Sequence, residues 1–219
     1  MFITLFDYGA GNLHSLQKAL EMSGDNVRLE SDPVRAVKTD MLVLPGVGAF
    51  GMAASRLAPG RDVVRAALQE GLPCLGICLG MQLLFDASDE GEGEGLGIFP
   101  GRVTRLRASR VPQIGWNRLE YEPTSLLARS GLSMAYFANG YACRPVKEDC
   151  VIAWSTHDDD RFPAAVRVGN VAGVQFHPEK SSAPGVRFLH EFLAEARSGT
   201  PLLHASPSRS AVSIAGDCR

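Results

Sequence analysis

Short apolar runs alternate with amphipathic segments over the first 85 residues. Short runs bounded by turn residues are typical of buried β-strands, and apolar residues three or four positions apart indicate helices. We predict strands over residues 1–6, 27–29, 41–44 and 72–77. Helices are predicted from residue 13, over 34–37 and 62–69, and from residue 81. The repeated order of strand, helix and strand predicts an α/β fold, with a parallel sheet covered by helices on both faces.

The pattern changes after an acidic, glycine-rich segment, DASDEGEGEG, at residues 86–95. We predict that this segment forms a solvated surface loop, because its charges and glycines cannot form a core. Strands are then predicted at 101–106, 111–114, 135–141, 151–154, 164–168 and 171–176, and helix returns only at 184–197. The last residues have no hydrophobic period. We therefore interpret residues 1–197 as one domain and 198–219 as a disordered tail.

Composition and charge exclude several classes of function. The chain has 219 residues, 45% of them hydrophobic, which is enough for one sizeable core. A formal net charge of -2 provides no positive field for nucleic acid. No apolar stretch is long enough for a membrane span, and the N-terminus MFITLFDYGA lacks the basic region of a signal peptide, so we predict a cytoplasmic protein. Five cysteines without zinc-ligand spacing indicate reduced thiols and no metal site.

One cysteine lies in a pattern that is typical of a nucleophile. Residues 76–80, GICLG, close the fourth predicted strand and open a helix, with Cys78 where a nucleophile elbow places its reactive residue. The glycines suit a sharp strand-to-helix turn, and the partial positive charge of a helix N-terminus favours a thiolate. The alternative is a buried, inert thiol.

A cysteine nucleophile requires a base and an acid that orients the base. His177 and Glu179, in the sequence HPE, follow the apolar strand at 171–176. Pro178 favours an extended conformation at His177, so that the imidazole and the Glu179 carboxylate leave the strand end in the same direction. Taken alone, this pair is also compatible with a capped surface histidine.

Backbone donors for an oxyanion are predicted in two places. The loop PGVG at 45–48 follows the third predicted strand, and its glycines allow the amide of Val47 to turn toward a neighbouring strand end. The second donor is the amide of Leu79, the residue after the nucleophile. Gln82 lies one helical turn beyond Cys78, where it could hold a polar substrate beside the sulfur.

Together these motifs resemble the class I glutamine amidotransferase family. The resemblance rests on DYGAGNL, PGVGAF, GICLGMQLL, IGWN and GVQFHPEKS, which occur in the family's order over residues 2–196. It implies a three-layer, flavodoxin-like α/β fold with a mixed, largely parallel central sheet. It also implies hydrolysis of L-glutamine by the triad Cys78, His177 and Glu179, without a metal or organic cofactor. The residues that the resemblance implies for glutamine binding are Gly48, Gln82, Asn139 and Gly140.

The resemblance also implies a partner. Within the family, the motifs are most similar to the subunits that pass ammonia to a (β/α)8 barrel cyclase in histidine biosynthesis. That cyclase makes imidazole glycerol phosphate and aminoimidazole carboxamide ribonucleotide. Trp116 and Tyr136, on strands of the second half, are candidate interface residues, and burial in the core is the equal alternative.

Three places depart from the family pattern, and none of them removes a catalytic group. They are Gln113 in VPQIGWN, Asn139-Gly140 in YFANGYA, and His157 in STHDD. These departures leave open a paralogous subunit that feeds ammonia to another synthase. A stand-alone cysteine hydrolase of γ-glutamyl compounds uses the same elbow and needs no partner, and a catalytically silent binding module is a further alternative.

Overall fold

The computed structural model describes residues 1–9, 11 and 13–199. Its strands are β1 (Phe2–Phe6), β2 (Asn26–Glu30), β3 (Met41–Leu44), β4 (Cys74–Ile77), β5 (Phe85–Ser88), β6 (Phe99–Arg105), β7 (Gln113–Arg118), β8 (Glu120–Tyr121), β9 (Met134–Asn139), β10 (Tyr141–Pro145), β11 (Val151–His157), β12 (Asp160–Val168) and β13 (Val171–Val174). Its α-helices are α1 (His14–Glu21), α2 (Pro33–Ala36), α3 (Phe50–Leu57), α4 (Arg61–Gln69), α5 (Leu79–Leu83), α6 (Leu126–Ser130) and α7 (Ser182–Ser198).

The central sheet is mixed and has the strand order β2-β1-β3-β4-β13-β12-β11-β8. The pairs from β2 to β13 are parallel, and the pairs from β13 to β8 are antiparallel. A parallel part from the first half, continued by antiparallel strands from the second, confirms the predicted fold class. The order places the carboxyl ends of β3, β4 and β13 side by side at one edge of the sheet, where ligands bind in open α/β folds.

Two hydrophobic cores lie on opposite faces of this sheet. Alternate residues of β3 divide between them, because successive side chains of a strand point to opposite faces. Met41 and Val43 join the core that includes side chains from α1 and α7, whereas Leu42 and Leu44 join the core that includes side chains from α3 and α4. This division defines three layers, with helices on both sides of the sheet.

Two smaller sheets complete the fold. Strands β10, β6 and β5 form one of them. The antiparallel pair β7 and β9 forms the other, with Gln113 directly opposite Asn139. The β7–β9 pair contacts the chain just beyond the carboxyl end of β13, because the amide of His177 donates to the carbonyl oxygen of Tyr136 at 2.8 Å.

Several sequence predictions of local structure were wrong. The loop predicted at 86–95 is confirmed for residues 89–95, which are mostly exposed and belong to no helix or strand, but residues 86–88 belong to strand β5, which pairs with β6. In the rest of that segment, the Glu90 carboxylate accepts a hydrogen bond from the amide of Phe50, the first residue of α3, at 3.0 Å. An acid is stabilised there by the unpaired amides of a helix N-terminus. Glu90, in the acidic segment, therefore stabilises the N-terminus of α3.

Other element boundaries also differ from the predictions. Helices α3 and α6 were not predicted, and α5 ends at Leu83, so that Phe85 opens a strand instead of continuing the helix. The strand predicted at 111–114 starts at Gln113, since Pro112 has no N–H to donate to a ladder. Helix α7 ends at Ser198. The tail predicted beyond it falls on residues 200–219, outside the described residues.

Candidate active site

Cys78 occupies the turn between β4 and α5, and its backbone is strained. Its φ of 48° and ψ of -103° lie in a region that non-glycine residues rarely adopt. The turn depends on the glycines on either side of it. A Cβ at Gly80 would lie 1.9 Å from the carbonyl oxygen of Leu44, and one at Gly76 would lie 2.6 Å from the Gly80 carbonyl carbon. The GxCxG sequence therefore permits a sharp turn that places the cysteine at the end of a buried strand.

Segments from both neighbouring strands converge on this cysteine. Gly46 follows β3, and His177 follows β13 by three residues. A Cβ at Gly46 would lie 2.8 Å from the Cβ of Cys78 and 2.9 Å from Cε1 of His177. The loop at 45–48 therefore passes directly against both side chains, and only a glycine leaves room for it there.

His177 and Glu179 form a buried pair. Nδ1 of His177 lies 2.9 Å from Oε1 of Glu179, and both side chains are less than a tenth exposed. Burial alone would lower the pKa of His177, but hydrogen bonds with Cys78 and Glu179 outweigh it and raise this pKa to about 9. The imidazole is therefore protonated at neutral pH, and its contact with Cys78 is that of a cation beside a sulfur.

Ser181 fixes the backbone around this histidine. Its hydroxyl donates to the carbonyl oxygen of His177 at 2.7 Å and accepts from the amide of Tyr136 at 2.9 Å. The chain after β13 is thereby tied to β9 through this side chain as well as through the backbone bond of His177. Both connections hold the imidazole in a fixed position relative to β9.

The end of β9 also lies close to the sulfur. Sγ of Cys78 is 3.9 Å from the carbonyl oxygen of Ala138. The next residue, Asn139, is buried, and its Nδ2 donates to the carbonyl oxygen of Tyr141 at 3.0 Å. Gly140 accepts a hydrogen bond from the amide of Leu106 at 2.9 Å. The structure thus brings the Asn139-Gly140 segment beside Cys78.

Of the two predicted oxyanion donors, Leu79 follows Cys78 in the chain, and Val47 lies next to Gly46 in the loop that passes against Cys78. Leu79 is the first residue of α5, where helical geometry leaves the amide without an acceptor inside the helix. Val47 belongs to the loop that passes against Cys78, and the next residue, Gly48, has a φ of 99°. Val47 also packs against Gly11, where an added Cβ would come within 2.5 Å of the Cβ of Val47. The loop therefore lies between the nucleophile and the segment after β1.

Sequence reasoning missed one residue at this site. Gln175 is fully buried directly after β13, and its Nε2 lies 3.5 Å from Sγ of Cys78. Its amide also contacts Gln82, whose Nε2 is 3.4 Å from Oε1 of Gln175. The available signal was a glutamine at the end of the apolar run VAGVQF, where a buried polar side chain requires a partner.

The residues that depart from the family pattern lie in different environments. Gln113 and Asn139 are cross-strand partners, and each has a buried side-chain oxygen without a hydrogen-bond partner among the described residues. Nε2 of His157 lies 2.8 Å from the carbonyl oxygen of Arg110, at the end of β11. Trp116 is half exposed and packs edge-to-face on Tyr136, with ring centroids 6.3 Å apart. The core alternative for Trp116 was therefore wrong.

The other cysteines in the described part of the chain are also free. Burial raises the pKa of the Cys74 and Cys143 thiols, so that both stay protonated and unreactive at neutral pH. No group of three or more histidine, cysteine, aspartate or glutamate side chains within the described ranges could hold a metal ion. Over the same ranges, no helix is both long and apolar enough to cross a bilayer.

Comparisons with known proteins define the class of this site. A family model described as glutamine amidotransferase class-I matches residues 4–196. The solved structure titled crystal structure of glutamine amidotransferase has a TM-score of 0.70 at 23% identity, covering 89% of this chain and 98% of its own. A putative GMP synthase subunit from Thermoplasma acidophilum has a TM-score of 0.68 at 19% identity, with 90% and 94% covered. The chain belongs to the class I glutamine amidotransferase family.

Curated relatives narrow the similarity within that family. The imidazole glycerol phosphate synthase subunit HisH of Gloeobacter violaceus is 40% identical, covering 99% of this chain and 95% of the relative. The proteins of the same name from Pyrococcus furiosus and Geobacillus thermodenitrificans are 42% and 44% identical, each over 87% of this chain. The alignments cover 97% and 94% of those two relatives.

Proposed function

We propose that this chain hydrolyses glutamine to glutamate and ammonia and passes the ammonia to a (β/α)8 barrel cyclase. The cyclase makes imidazole glycerol phosphate and aminoimidazole carboxamide ribonucleotide in histidine biosynthesis. The observation that supports the glutaminase step is the strained Cys78 at the end of β4, in contact with the buried pair His177 and Glu179. The names of the curated relatives support the assignment of the partner.

In the first half of the reaction, the Cys78 thiolate attacks the side-chain carboxamide of glutamine. The carbonyl oxygen of that carboxamide gains negative charge, which the amides of Val47 and Leu79 stabilise. His177 is protonated at neutral pH and donates its proton to the departing ammonia. The product on the enzyme is a γ-glutamyl thioester.

In the second half, water hydrolyses the thioester. His177 has given up its proton and now takes one from the attacking water, so that the same imidazole acts first as acid and then as base. Glu179 holds the Nδ1 side of the ring through the 2.9 Å hydrogen bond, which fixes the ring orientation and stabilises the imidazolium. Glutamate then leaves, and the Cys78 thiolate is restored.

Glutamine itself is held by residues around the sulfur. Gly48, Gln82, Asn139 and Gly140 are the proposed binding residues. Asn139 is buried beside the nucleophile, and its Oδ1, which has no hydrogen-bond partner among the described residues, can accept a hydrogen bond from a polar ligand. Glycine at positions 48 and 140 lets the backbone approach a ligand closely.

A partner follows from the chemistry of the product. Ammonia released into water at neutral pH is protonated and loses its nucleophilicity, so it is useful only when a synthase captures it directly. The exposed Trp116 on β7, packed against Tyr136 on β9, offers an aromatic surface close to the active site. Half-exposed aromatic residues of this kind are enriched at protein interfaces.

The loop at 45–48 supports control of the reaction by that partner. One missing oxyanion donor costs about 100- to 1,000-fold in turnover. Glycines on both sides of Val47 make reorientation of its peptide inexpensive, so that the isolated chain can rest with this amide turned away. We expect the isolated chain to hydrolyse glutamine slowly, and the nucleotide-bound cyclase to accelerate it by stabilising the active loop conformation.

Glutaminase turnover tests this function in three samples: the chain alone, the chain with the cyclase, and the chain with the cyclase and its nucleotide substrate. We expect strong activation only in the third sample. Cys78→Ala should abolish glutamine hydrolysis but leave synthesis from added ammonium salts intact, because the nucleophile serves only the first reaction. An isolated chain as fast as the full complex would favour a stand-alone hydrolase, and hydrolysis retained in Cys78→Ala would contradict the assignment of the nucleophile.

A further inference from the structure

The Gln175 side chain is a buried amide that the proposed mechanism does not use. It is fully excluded from solvent, and its Nε2 lies 3.5 Å from Sγ of Cys78, a distance suited to an N–H···S hydrogen bond. A buried amide with this contact is positioned to act on the charge state of the nucleophile.

A chain of hydrogen bonds from a backbone carbonyl determines which end of the Gln175 amide faces the sulfur. Nε2 of Gln82 lies 3.3 Å from the carbonyl oxygen of Tyr141 and 3.4 Å from Oε1 of Gln175. A carbonyl oxygen can only accept, so Gln82 presents its NH2 group to Tyr141 and to Gln175. Gln175 must then accept with Oε1 and present its own NH2 group to the sulfur. Reversing either amide would bring two donors or two acceptors together.

A donor at this position distinguishes the thiolate of Cys78 from the thiol. The thiolate accepts a charge-assisted hydrogen bond, whereas a neutral thiol is only a weak acceptor. The thiol also has another contact for its S–H, the carbonyl oxygen of Ala138 at 3.9 Å. The Gln175 amide therefore stabilises the thiolate of Cys78 more than the neutral thiol.

The titratable groups around the sulfur come from two elements. His177 approaches from the segment after β13, with Glu179 behind it. Cys143 on β10 interacts with Cys78 electrostatically, but burial raises the pKa of Cys143 and keeps it neutral. The Gln175 amide does not titrate, so it can donate to the sulfur at every pH, in addition to the effect of His177.

We propose that Gln175 is a hydrogen-bond donor to the Cys78 thiolate, oriented by Gln82, and that it holds the nucleophile in its reactive state before glutamine binds. The inference rests on the proposed function, in which Cys78 is the nucleophile. It adds a residue to that site which acts on the free enzyme and requires neither substrate nor partner.

Alkylation of Cys78 by iodoacetamide tests the proposal on the full chain, because the reagent reacts with the thiolate and no glutamine is needed. The rate is followed at Cys78 by peptide mass spectrometry across the titration range of cysteine. Removing a hydrogen bond to a charged group costs about 10-fold in thiolate population, and the greater nucleophilicity of a more basic thiolate offsets part of this loss. We therefore expect Gln175→Met to slow alkylation at neutral pH about 3-fold or more. At high pH, where the thiolate predominates in both proteins, the rate should equal or exceed that of the unsubstituted chain.

Gln113→Met is the matched control. It makes the same substitution at another buried glutamine, which lies on β7. Its alkylation profile should match that of the unsubstituted chain, and an equal shift in both variants would mean that the effect is general to core substitution and would overturn the proposal. A Gln175→Met profile that matches the unsubstituted chain would also overturn it.

A second variant keeps the test informative if Gln175→Met does not fold. Gln82→Leu removes the donor that orients Gln175, so we expect a smaller shift in the same direction, and an unchanged profile would contradict the proposal. Failure of the proposed function has a different signature. In that case the unsubstituted chain with its cyclase and nucleotide shows no glutaminase activity, whatever the alkylation profiles are.

Discussion

Gly46→Ala tests whether the loop after β3 keeps the two reacting side chains in place. The added Cβ would lie 2.8 Å from Cβ of Cys78 and 2.9 Å from Cε1 of His177. Carbon atoms pack best at about 3.5 Å or more, so each contact is short by about 0.6 to 0.7 Å. The added Cβ would also lie 2.9 Å from the carbonyl oxygen of Ile77, which belongs to the buried strand β4 and cannot move aside easily.

The alanine can be accommodated only by moving the catalytic side chains or the loop. A displacement of about 1 Å at a reacting group costs about 100-fold in rate. Overpacking a core position costs about 1–3 kcal/mol in the free energy of unfolding, which a stable domain tolerates. We therefore expect Gly46→Ala to lower cyclase-activated glutaminase turnover about 100-fold or more while the chain remains folded.

The assay is glutamate release by the complex, with thermal melting followed by circular dichroism in parallel. Gly51→Ala, in α3, is the control, because the three atoms nearest its Cβ belong to the backbone of Gly91 and Glu92, away from Cys78 and His177, the nearest being the Glu92 carbonyl oxygen at 3.1 Å. Alanine is also favoured over glycine in a helix. Turnover of Gly46→Ala within about threefold of the unsubstituted chain, with unchanged melting, would refute the argument, because the loop could then move without disturbing Cys78 or His177.

Three further predictions concern charge and the chain end. Glu179→Gln should lower the pKa of His177 below about 9, which NMR titration of the imidazole measures. It should also reduce glutaminase turnover less than His177→Ala does, and equal losses of turnover in the two variants would mean that Glu179 has another role. Burial opposes ionisation of Asp25, but its hydrogen bond with Arg197 and other donors lowers its pKa to about 2. The ionised Asp25 carboxylate therefore stabilises the fold above the unfolded-state pKa of about 3.9, and this stabilisation is lost as pH falls toward 2. Asp25→Asn should lower the melting temperature at neutral pH but much less near pH 2. An equal decrease in melting temperature at the two pH values would contradict the pairing of Asp25 with Arg197. Truncation after Gly199 should leave turnover and melting nearly unchanged, because the residues beyond it have no hydrophobic period, and a large drop in either would show that they pack.

The parts of the fold that could be predicted from sequence are those in which local pattern and tertiary role agree. The apolar run at 41–44 is buried on both faces, so its pattern has the same meaning in isolation and in the sheet. The turn at Cys78 could also be predicted, because its backbone requires glycines at 76 and 80 and the sequence contains them.

The parts that were missed depend on contacts between distant segments. Strand β5 lies in a segment whose composition indicates a loop, and it exists because β6 pairs with it. The position of Gln175 in an apolar run shows that its side chain needs a polar partner, but not which one, since its two partners are 93 and 97 positions away in the chain. Tertiary contacts of this kind override local propensity, and no periodicity reports them.

The strand order has a consequence for the synthesis of the chain. β13 pairs with β4 on one side and with β12 on the other, so β4 has no partner on that side until residues 171–174 have been made. Cys78 leaves the ribosome 99 residues before His177, a delay of about 5 to 20 seconds at usual elongation rates. Throughout that interval Cys78 lacks the base proposed for it, and the open edge of β4 can pair with other chains. On the proposed mechanism, a chain released before β13 is made is therefore inactive and prone to aggregation. Insertion of β13 covers the open edge of β4 and brings His177 to Cys78.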